Sequence, residues 1–188
     1  GRVVNEGKDL SLKDIRDSMN SGIGYVPPDR RREGVVVNMP VNSNTIMANL
    51  SSYKKALMLD KTKEKDHVQR AIDSLKIKCT SQEQEVLRLS GGNQQKVVLA
   101  KWLDRDPKIL ILNEPTRGVD VGAKSEIYKL IDNLANEGLA ILLISSELPE
   151  VIGVSDNIMV MCRGKVTGSF SIEAASQDVL LKAASGRG

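Results

Sequence analysis

The chain has 188 residues, enough for one domain with a sizeable core, and its hydrophobic share of 40% with 15 glycines is ordinary globular usage. A net charge of +3 gives no case for a nucleic-acid partner, and the two cysteines, Cys79 and Cys162, form no CxxC pair and read as reduced thiols. The longest wholly apolar run, Leu139–Ile144, is far short of the roughly 20 residues that span a bilayer, and no signal peptide is visible. The expectation is a soluble chain, or one that docks on a membrane protein without crossing the membrane.

In chain order, Arg2–Val4 reads as the end of a strand. Ser11 is placed to cap a short helix, with Asp14 at capping-box spacing and Leu12, Ile15 and Met19 on one face, stopped at Gly22. Ile23–Val26 predicts a strand, ended by Pro27 and Pro28, which have no N–H to donate. Asp29–Gly34 follows as a charged loop whose three arginines, Arg30 to Arg32, are either solvated or turned to a ligand or partner.

From Asn38 to about Val86 the texture becomes helical. Val41–Leu50 and Thr62–Leu75 predict helices, the second with Val68, Ala71, Ile72 and Leu75 at helical spacing, and no strand is evident. The segment reads as an insertion into an α/β domain rather than a domain with its own core. The one histidine, His67, lies among Glu64, Lys65 and Asp66 and is expected on the solvated side. Cys79 through Glu85 reads as polar connecting loop.

After Gly92 strands and helices alternate. Val97, Val98, Leu99, Trp102 and Leu103 form one helical face, Asp106-Pro107 breaks it, and Ile109–Leu112 is a short apolar strand of the kind buried in parallel sheets. Gly122–Glu137 predicts a helix ended by Gly138, with Ile127, Leu130, Ile131 and Leu134 inward; Ala140–Ile144 predicts another buried strand, and Pro149–Val154 a short helix. Ile158–Cys162 and Val166–Phe170 predict a hairpin across Arg163-Gly164-Lys165, and Ser176 caps a closing helix carrying Val179, Leu180 and Leu181. This rhythm predicts an open, largely parallel sheet with helices on its faces.

Two stretches carry chemistry. Ser90-Gly91-Gly92 opens a helix, where backbone N–H groups suit a phosphate, and Asn113-Glu114 ends an apolar strand, where α/β proteins keep reactive groups. Together they point to a nucleotide. Leu89-Ser90-Gly91-Gly92-Asn93-Gln94-Gln95 resembles the signature motif of ATP-binding cassette (ABC) ATPases, Ile109–Glu114 their Walker B strand, and Gly118-Val119-Asp120 their D-loop. Gly-Asn-Gln-Gln-Lys, Glu-Pro-Thr-Arg-Gly-Val-Asp-Val-Gly-Ala-Lys and Ser-Ser-Glu-Leu-Pro-Glu-Val are similar to the second, C-terminal cassette of duplicated bacterial sugar-import ATPases of the ribose, galactose and xylose type. The resemblance implies an α/β fold, a RecA-like P-loop NTPase core with a parallel sheet. It implies a single partial nucleotide-binding domain over 1–188, RecA-like in 1–37 and 88–188 and helical in 38–87.

Departures from the family pattern matter as much. No GxxxxGK[ST] phosphate loop occurs, so the chain reads as a cassette truncated at its N-terminus, expected to bind ATP poorly alone. Asn113 stands where an aspartate that helps hold Mg²⁺ is expected, making it a weak metal position, since an amide brings no charge. Glu114 stands at the catalytic carboxylate that orients or activates water, though a capping or loop acid is the plainer alternative. Pro28 falls at a degenerate Q-loop position and Ser146 at a degenerate switch position.

The resemblance implies that Leu89, Ser90, Gly91, Gly92, Asn93 and Gln94 cover ATP held by a partner cassette. Ser90 would donate its hydroxyl, and the glycines would let backbone N–H groups approach. The function expected is the ATP-binding and ATP-hydrolysing cassette of a bacterial ABC importer, most simply for a monosaccharide. ATP and Mg²⁺ would act in the full-length assembly at the cytoplasmic face of the membrane. Partners implied are a second cassette, transmembrane permease subunits contacted through the helical insertion and the Arg30–Arg32 loop, and indirectly a periplasmic or extracellular sugar-binding protein, with no nucleic acid. Alternatives are a nucleoside importer and a non-hydrolytic dimerisation or regulatory fragment. An ATPase acting on ribosomes or DNA would be expected to carry a coiled-coil insertion or a strong basic stretch, and neither is present.

Overall fold

Residues 2–5, 7–10, 13–55 and 58–186 are described by a computed structural model. Strands β1 (Val4–Asn5) and β2 (Lys8–Asp9) pair antiparallel, so the opening segment is a small hairpin rather than the end of a strand over Arg2–Val4. Helix α1 (Ile15–Asn20) is capped by Asp14, whose carboxylate accepts from the Asp17 N–H at 2.8 Å. The expected cap Ser11 and face residue Leu12 lie outside the described residues. Gly22, at φ +79°, turns the chain into β3 (Ile23–Val26), a conformation open to glycine at little cost. Asp29–Gly34, expected as a loop, contains one wide helical turn over Arg30–Gly34. Asp29 accepts from the N–H groups of Arg31 and Arg32, and the Val35 N–H closes onto the Arg30 carbonyl at 2.8 Å. The signal was the aspartate: an N-cap residue ahead of helix-tolerant arginines and a glutamate.

In the helical segment, α2 (Val41–Ile46) continues into a tighter 3₁₀ stretch over Met47–Tyr53, shortening the helix expected to Leu50. A short antiparallel pair follows, β4 (Lys54–Lys55) with β5 (Met58–Leu59), where no strand was evident in the sequence. Helix α3 (Lys61–Ser74) matches its expected span within a residue and is capped by Asp60. Val41, Leu75, Ile77 and Val86 join the main core, while Ile46, Tyr53 and Val68 form a small cluster of their own.

His67 is half-buried rather than fully on the solvated side. Its Nε2 lies 2.8 Å from the Asp104 carboxylate, which also accepts from the Tyr53 hydroxyl, and the Asn49 amide donates to the Asp104 carbonyl at 2.8 Å. The neighbours in sequence are charged, but the ring side of the helix turns toward Tyr53, 5.6 Å between ring centroids. Burial raises the Asp104 carboxyl, although the Tyr53, His67 and Asn49 contacts act against the rise. Burial, then the bond to Asp104, raises the Tyr53 phenol.

Asp104 ends α4 (Gly91–Leu103), whose Val97, Val98 and Leu99 are fully buried. The strands β6 (Ile109–Asn113) and β7 (Ala140–Ile144) complete a three-stranded parallel sheet in the order β3-β6-β7. Between them runs α5 (Val121–Asn136), which buries Ile127 and Ile131. Val26, Leu110 and Leu112 pack with α4 and α5 in one core. Gly24 belongs to this face because a side chain there would meet Leu110 at 2.9 Å and Trp102 at 3.4 Å. The other face leaves Tyr25, Leu142 and Ile144 exposed. The strand Ala140–Ile144 is therefore only half-buried on its inner side, through Ile141 and Leu143, and an unbroken apolar run does not report which of its faces is covered.

The short helix α6 (Leu148–Val154), the hairpin of β8 (Asn157–Cys162) with β9 (Lys165–Ser171) and the helix α7 (Gln177–Ala184) close the fold as expected. Arg163 (φ +48°) and Gly164 (φ +78°) form the hairpin's tight turn, and the Ser176 hydroxyl caps α7 on the Val179 N–H. Leu180 alone of its three expected apolar residues is buried; Val179 and Leu181 are exposed. Both cysteines are free thiols.

Candidate functional site

The first turn of α4 and the loop before α5 form one corner. Ser90 caps α4: its Oγ accepts from the Asn93 backbone N–H at 3.4 Å and from Asn93 Nδ2 at 2.8 Å. Those two bonds use the acceptor capacity of the hydroxyl, so its own O–H is left to donate away from the helix. Asn93 is held in turn, accepting from the Lys78 N–H at 2.8 Å. The positive end of a 13-residue helix therefore presents an oriented donor.

The other expected signature residues divide by where they point. Leu89 is buried in the core, and Gln94 is fully buried, donating to the Val86 and Leu89 carbonyls and accepting from Arg31 Nε at 3.2 Å. Both brace the turn from inside. Gly91 and Gly92 have internal reasons to lack a side chain. A Cβ on Gly91 would lie 2.6 Å from Arg30 Nη2 and 3.2 Å from the Gly118 carbonyl, and one on Gly92 would lie 2.6 Å from the Ala123 Cβ. The helices α4 and α5 can approach this closely only over glycine.

Gly118, Val119 and Asp120 lie beside that turn. Val119 is buried, and Asp120 caps α5 through the Ala123 N–H at 2.9 Å. A cleft of about 300 Å³ opens between the two helix starts, lined by Ser90, Gly92, Asn93, Asp120, Lys78 and Glu126 among others. Lys96, itself buried, donates to Glu126 at 2.7 Å and holds that carboxyl below its usual range. The wall facing Ser90 is thus ion-paired, and the serine hydroxyl is an unpaired donor in it.

A second corner forms at the C-terminal end of β6. Glu114 adopts φ +50°, which costs a side-chain-bearing residue roughly 1–2 kcal/mol. Two bonds hold it there: its N–H donates to the Ile144 carbonyl at 2.8 Å, and its Oε1 accepts from the Ser146 N–H at 2.9 Å. The expected switch position is therefore in contact with the expected catalytic carboxylate, through backbone rather than through the serine hydroxyl. Asn113 donates its amide to the Tyr25 hydroxyl at 3.2 Å, and half-buried Pro28 lies beyond β3 on the chain that carries that tyrosine. Among the described residues no group of three or more His, Cys, Asp or Glu side chains could hold a metal ion. With one carboxylate tied to a backbone N–H and an amide turned to a phenol, this corner does not fit Mg²⁺ on its own residues.

Three interactions were not anticipated. Arg30 Nη1 and Nη2 donate to the Arg117 and Gly118 carbonyls at 2.6 and 2.9 Å. Thr116 donates its hydroxyl to Glu150 Oε1 at 2.9 Å, both residues being about 1% exposed, which ties the end of β6 to α6. Lys124 pairs with Glu147 at 2.5 Å, and that hydrogen bond raises the ammonium above its usual range. Thr116, Glu147 and Glu150 all lie within the sequence motifs quoted above, but a buried polar pair leaves no periodic signal.

A family model described as ABC transporter matches residues 1–117. The xylose import ATP-binding protein XylG of Moorella thermoacetica is 47% identical over 187 residues, covering 99% of this chain and 37% of that protein. The ribose import ATP-binding protein RbsA of Rhodopirellula baltica is 42% identical over 184 residues, covering 98% of this chain and 36% of its own length. This chain thus spans little more than a third of such relatives. A nucleotide-free ATP-binding cassette from an ABC transporter superposes with a TM-score of 0.77 at 22% identity, over 97% of this chain and 76% of that one. A dimeric post-hydrolysis cassette bound to ADP and Pi superposes with a TM-score of 0.74 at 18% identity, over 92% and 73%. At these identities the structural matches establish the cassette fold.

Proposed function

The chain belongs to the ABC transporter family, and from that premise we propose that it is part of an import ATPase in which the α4 corner covers the terminal phosphate of ATP held by a second cassette. The observation that carries this reading is the Ser90 hydroxyl. Asn93 occupies it as an acceptor, so its proton is directed outward at a helix N-terminus. A donor fixed before the ligand arrives costs no reorganisation when charge develops on the phosphate. Ser90 and the backbone N–H groups of Gly91, Gly92 and Asn93 would hold the nucleotide's terminal phosphate. Leu89 and Gln94 would support that turn from within, and Gly118, Val119 and Asp120 would line its flank.

The β6 corner is assigned a weaker role. Glu114 stands as the carboxylate for water at this chain's own site, with Ser146 and Pro28 as degenerate neighbours and no Mg²⁺ ligand beyond the neutral Asn113. Little hydrolysis is expected there. A monosaccharide cargo is supported by the xylose and ribose import names of the relatives. The import reading brings with it permease subunits, an external sugar-binding protein and a station at the cytoplasmic membrane face. No helix among the described residues is long and apolar enough to cross a membrane. The helical segment 38–87 and exposed Arg32 are the surface proposed to meet the permease.

The test is ATP turnover by this chain alone and mixed with a cassette that carries its own phosphate loop. Negligible turnover alone and stimulated turnover in the mixture is the expected result. Dimerisation without stimulation would favour a non-hydrolytic regulatory module instead, a reading that the Asn113 amide turned toward Tyr25 favours for the β6 corner.

A further inference from the structure

Arg30 lies where the turn after β3, the first turn of α4 and the loop before α5 meet. Its fork donates to the carbonyls of Arg117 and Gly118, 87 and 88 residues away in sequence. Burial, then neighbouring Arg31, lowers its guanidinium below the usual range, and its Nε is buried without a partner. The two loop carbonyls are therefore the groups its N–H fork serves. Gly118 turns through φ +66° on the way, and Gly91 leaves the space the guanidinium occupies, since a Cβ would lie 2.6 Å from Nη2.

The base of Arg30 is fixed as firmly as its tip. On the same turn, Arg31 Nε donates to Gln94 of α4 at 3.2 Å, and Lys101 Nζ donates to the Gly34 carbonyl at 2.5 Å. The turn is thus pinned to α4 at two points, and Arg30 reaches from it across Gly91 to the loop. A lysine has the charge but a single donor head, and it cannot hold two carbonyls in a planar fork.

We propose that Arg30 is a positioning residue that locks the loop Arg117–Asp120 to the first turn of α4, so that the Ser90 hydroxyl and that loop meet the partner's nucleotide as one preformed surface. This rests on the composite site proposed above. Arg30 touches no nucleotide in this account. Its loss frees two carbonyls and lets the loop move, which degrades alignment at turnover and leaves nucleotide binding by the partner's phosphate loop in place.

The experiment measures ATP turnover in the assembly of this chain with a partner cassette. Arg30→Ala is expected to lower kcat about 10- to 100-fold with KM for ATP within about twofold. Arg30→Lys should recover only part of the loss, and added methylguanidinium should restore turnover to Arg30→Ala but not to Ser90→Arg. Amide hydrogen exchange should quicken at residues 117–120 and stay unchanged in the interior of α4.

Wild-type kcat in Arg30→Ala, or faster exchange spread evenly through α4 and the loop, overturns the proposal. Ser90→Arg, assayed alongside, separates the two readings. Full turnover in Ser90→Arg removes the composite site and Arg30's role with it. An inactive Ser90→Arg beside a fully active Arg30→Ala removes Arg30's role alone. Should Arg30→Ala fail to fold, Arg30→Lys carries the same kinetic and exchange readouts.

Discussion

The α4 corner and the β6 corner contain the same kinds of group, a hydroxyl, amides and carboxylates, yet they spend them differently. At α4 the inner demands are met by buried residues: Gln94 braces the turn, Asn93 occupies the serine, and Lys96 neutralises Glu126. One O–H is left over, facing a cleft. At β6 the carboxylate of Glu114 is used on the Ser146 N–H, and the amide of Asn113 on the Tyr25 hydroxyl. Its open side is an uncovered sheet face with Leu142 and Ile144 exposed. Both corners have buried packing behind them, Leu112 and the Thr116–Glu150 pair at β6 included, but only at α4 does the packing leave a donor unspent.

The sharpest way to break this contrast is to damage each corner in the assembly proposed above, this chain with a partner cassette. Ser90→Arg should reduce turnover on the order of 10²-fold or more, the loss expected for a donor aimed at developing charge together with a bulky intrusion. Glu114→Gln in this chain should leave turnover within about twofold. Equal losses in a steady-state ATPase assay would mean that Glu114 contributes to turnover as much as the covering serine does, and the contrast would fail.

The packing behind the α4 corner can be tested by stability. Gly92→Ala places a methyl group 2.6 Å from the Ala123 Cβ. Overpacking of that kind costs about 1–3 kcal/mol, read as a lower midpoint in urea denaturation. An unchanged midpoint would show that α4 and α5 separate freely, and that the corner is less rigid than its contacts imply.

A smaller effect belongs to the far end of α4, where Tyr53 donates to Asp104. The folded protein holds the Tyr53 proton more tightly than the unfolded chain, whose phenol titrates near 10.0. Its contribution to stability is therefore complete below that pH and is lost as pH rises through the raised folded value. Tyr53→Phe should cost about 1 kcal/mol near neutral pH. The gap from wild type should narrow in urea titrations taken from about pH 9 to about pH 11. A gap that stays constant would remove the Tyr53 proton from the anchor.

The smallest change is expected from Asn113→Asp. It should leave turnover at the α4-covered site unaltered and, in a protein that supplies the phosphate loop to this chain's own corner, change the Mg²⁺ dependence of nucleotide binding there, measured by titration of Mg²⁺ with a fluorescent ATP analogue. An identical Mg²⁺ titration would mean that position 113 does not face the metal at all.

Much of this protein was legible residue by residue. Strong helical periodicity placed α3 and α5 within a residue or so and marked the inner face of α4, because burying one stripe of a helix writes its period into the chain. The motifs at Ser90–Gln94, Asn113-Glu114 and Gly118–Asp120 were legible as well, since glycine pairs and strand-terminal acids stand out locally. The wide turn at Arg30–Gly34 was hidden behind a run of charges, although Asp29 marked its cap. The pairing of Lys54–Lys55 with Met58–Leu59 was too short for an alternating pattern to register. His67 was misleading because its sequence neighbours are all charged, while its actual surroundings, Tyr53 and Asp104, lie 14 residues before and 37 after it in the numbering.

Sequence alone determined the elements, the cassette family resemblance and the identities at each candidate position, because those depend on local spacing and residue chemistry. Tertiary structure decided what each group is free to do. Gln94 and Leu89 are spent on the interior, Ser90 keeps a proton to donate, Glu114 is bound by a backbone N–H, and Arg30 reaches the loop at Arg117 and Gly118. Hydrogen-bond capacity is finite, and only the partners brought together by the fold determine which donors and acceptors remain for a ligand.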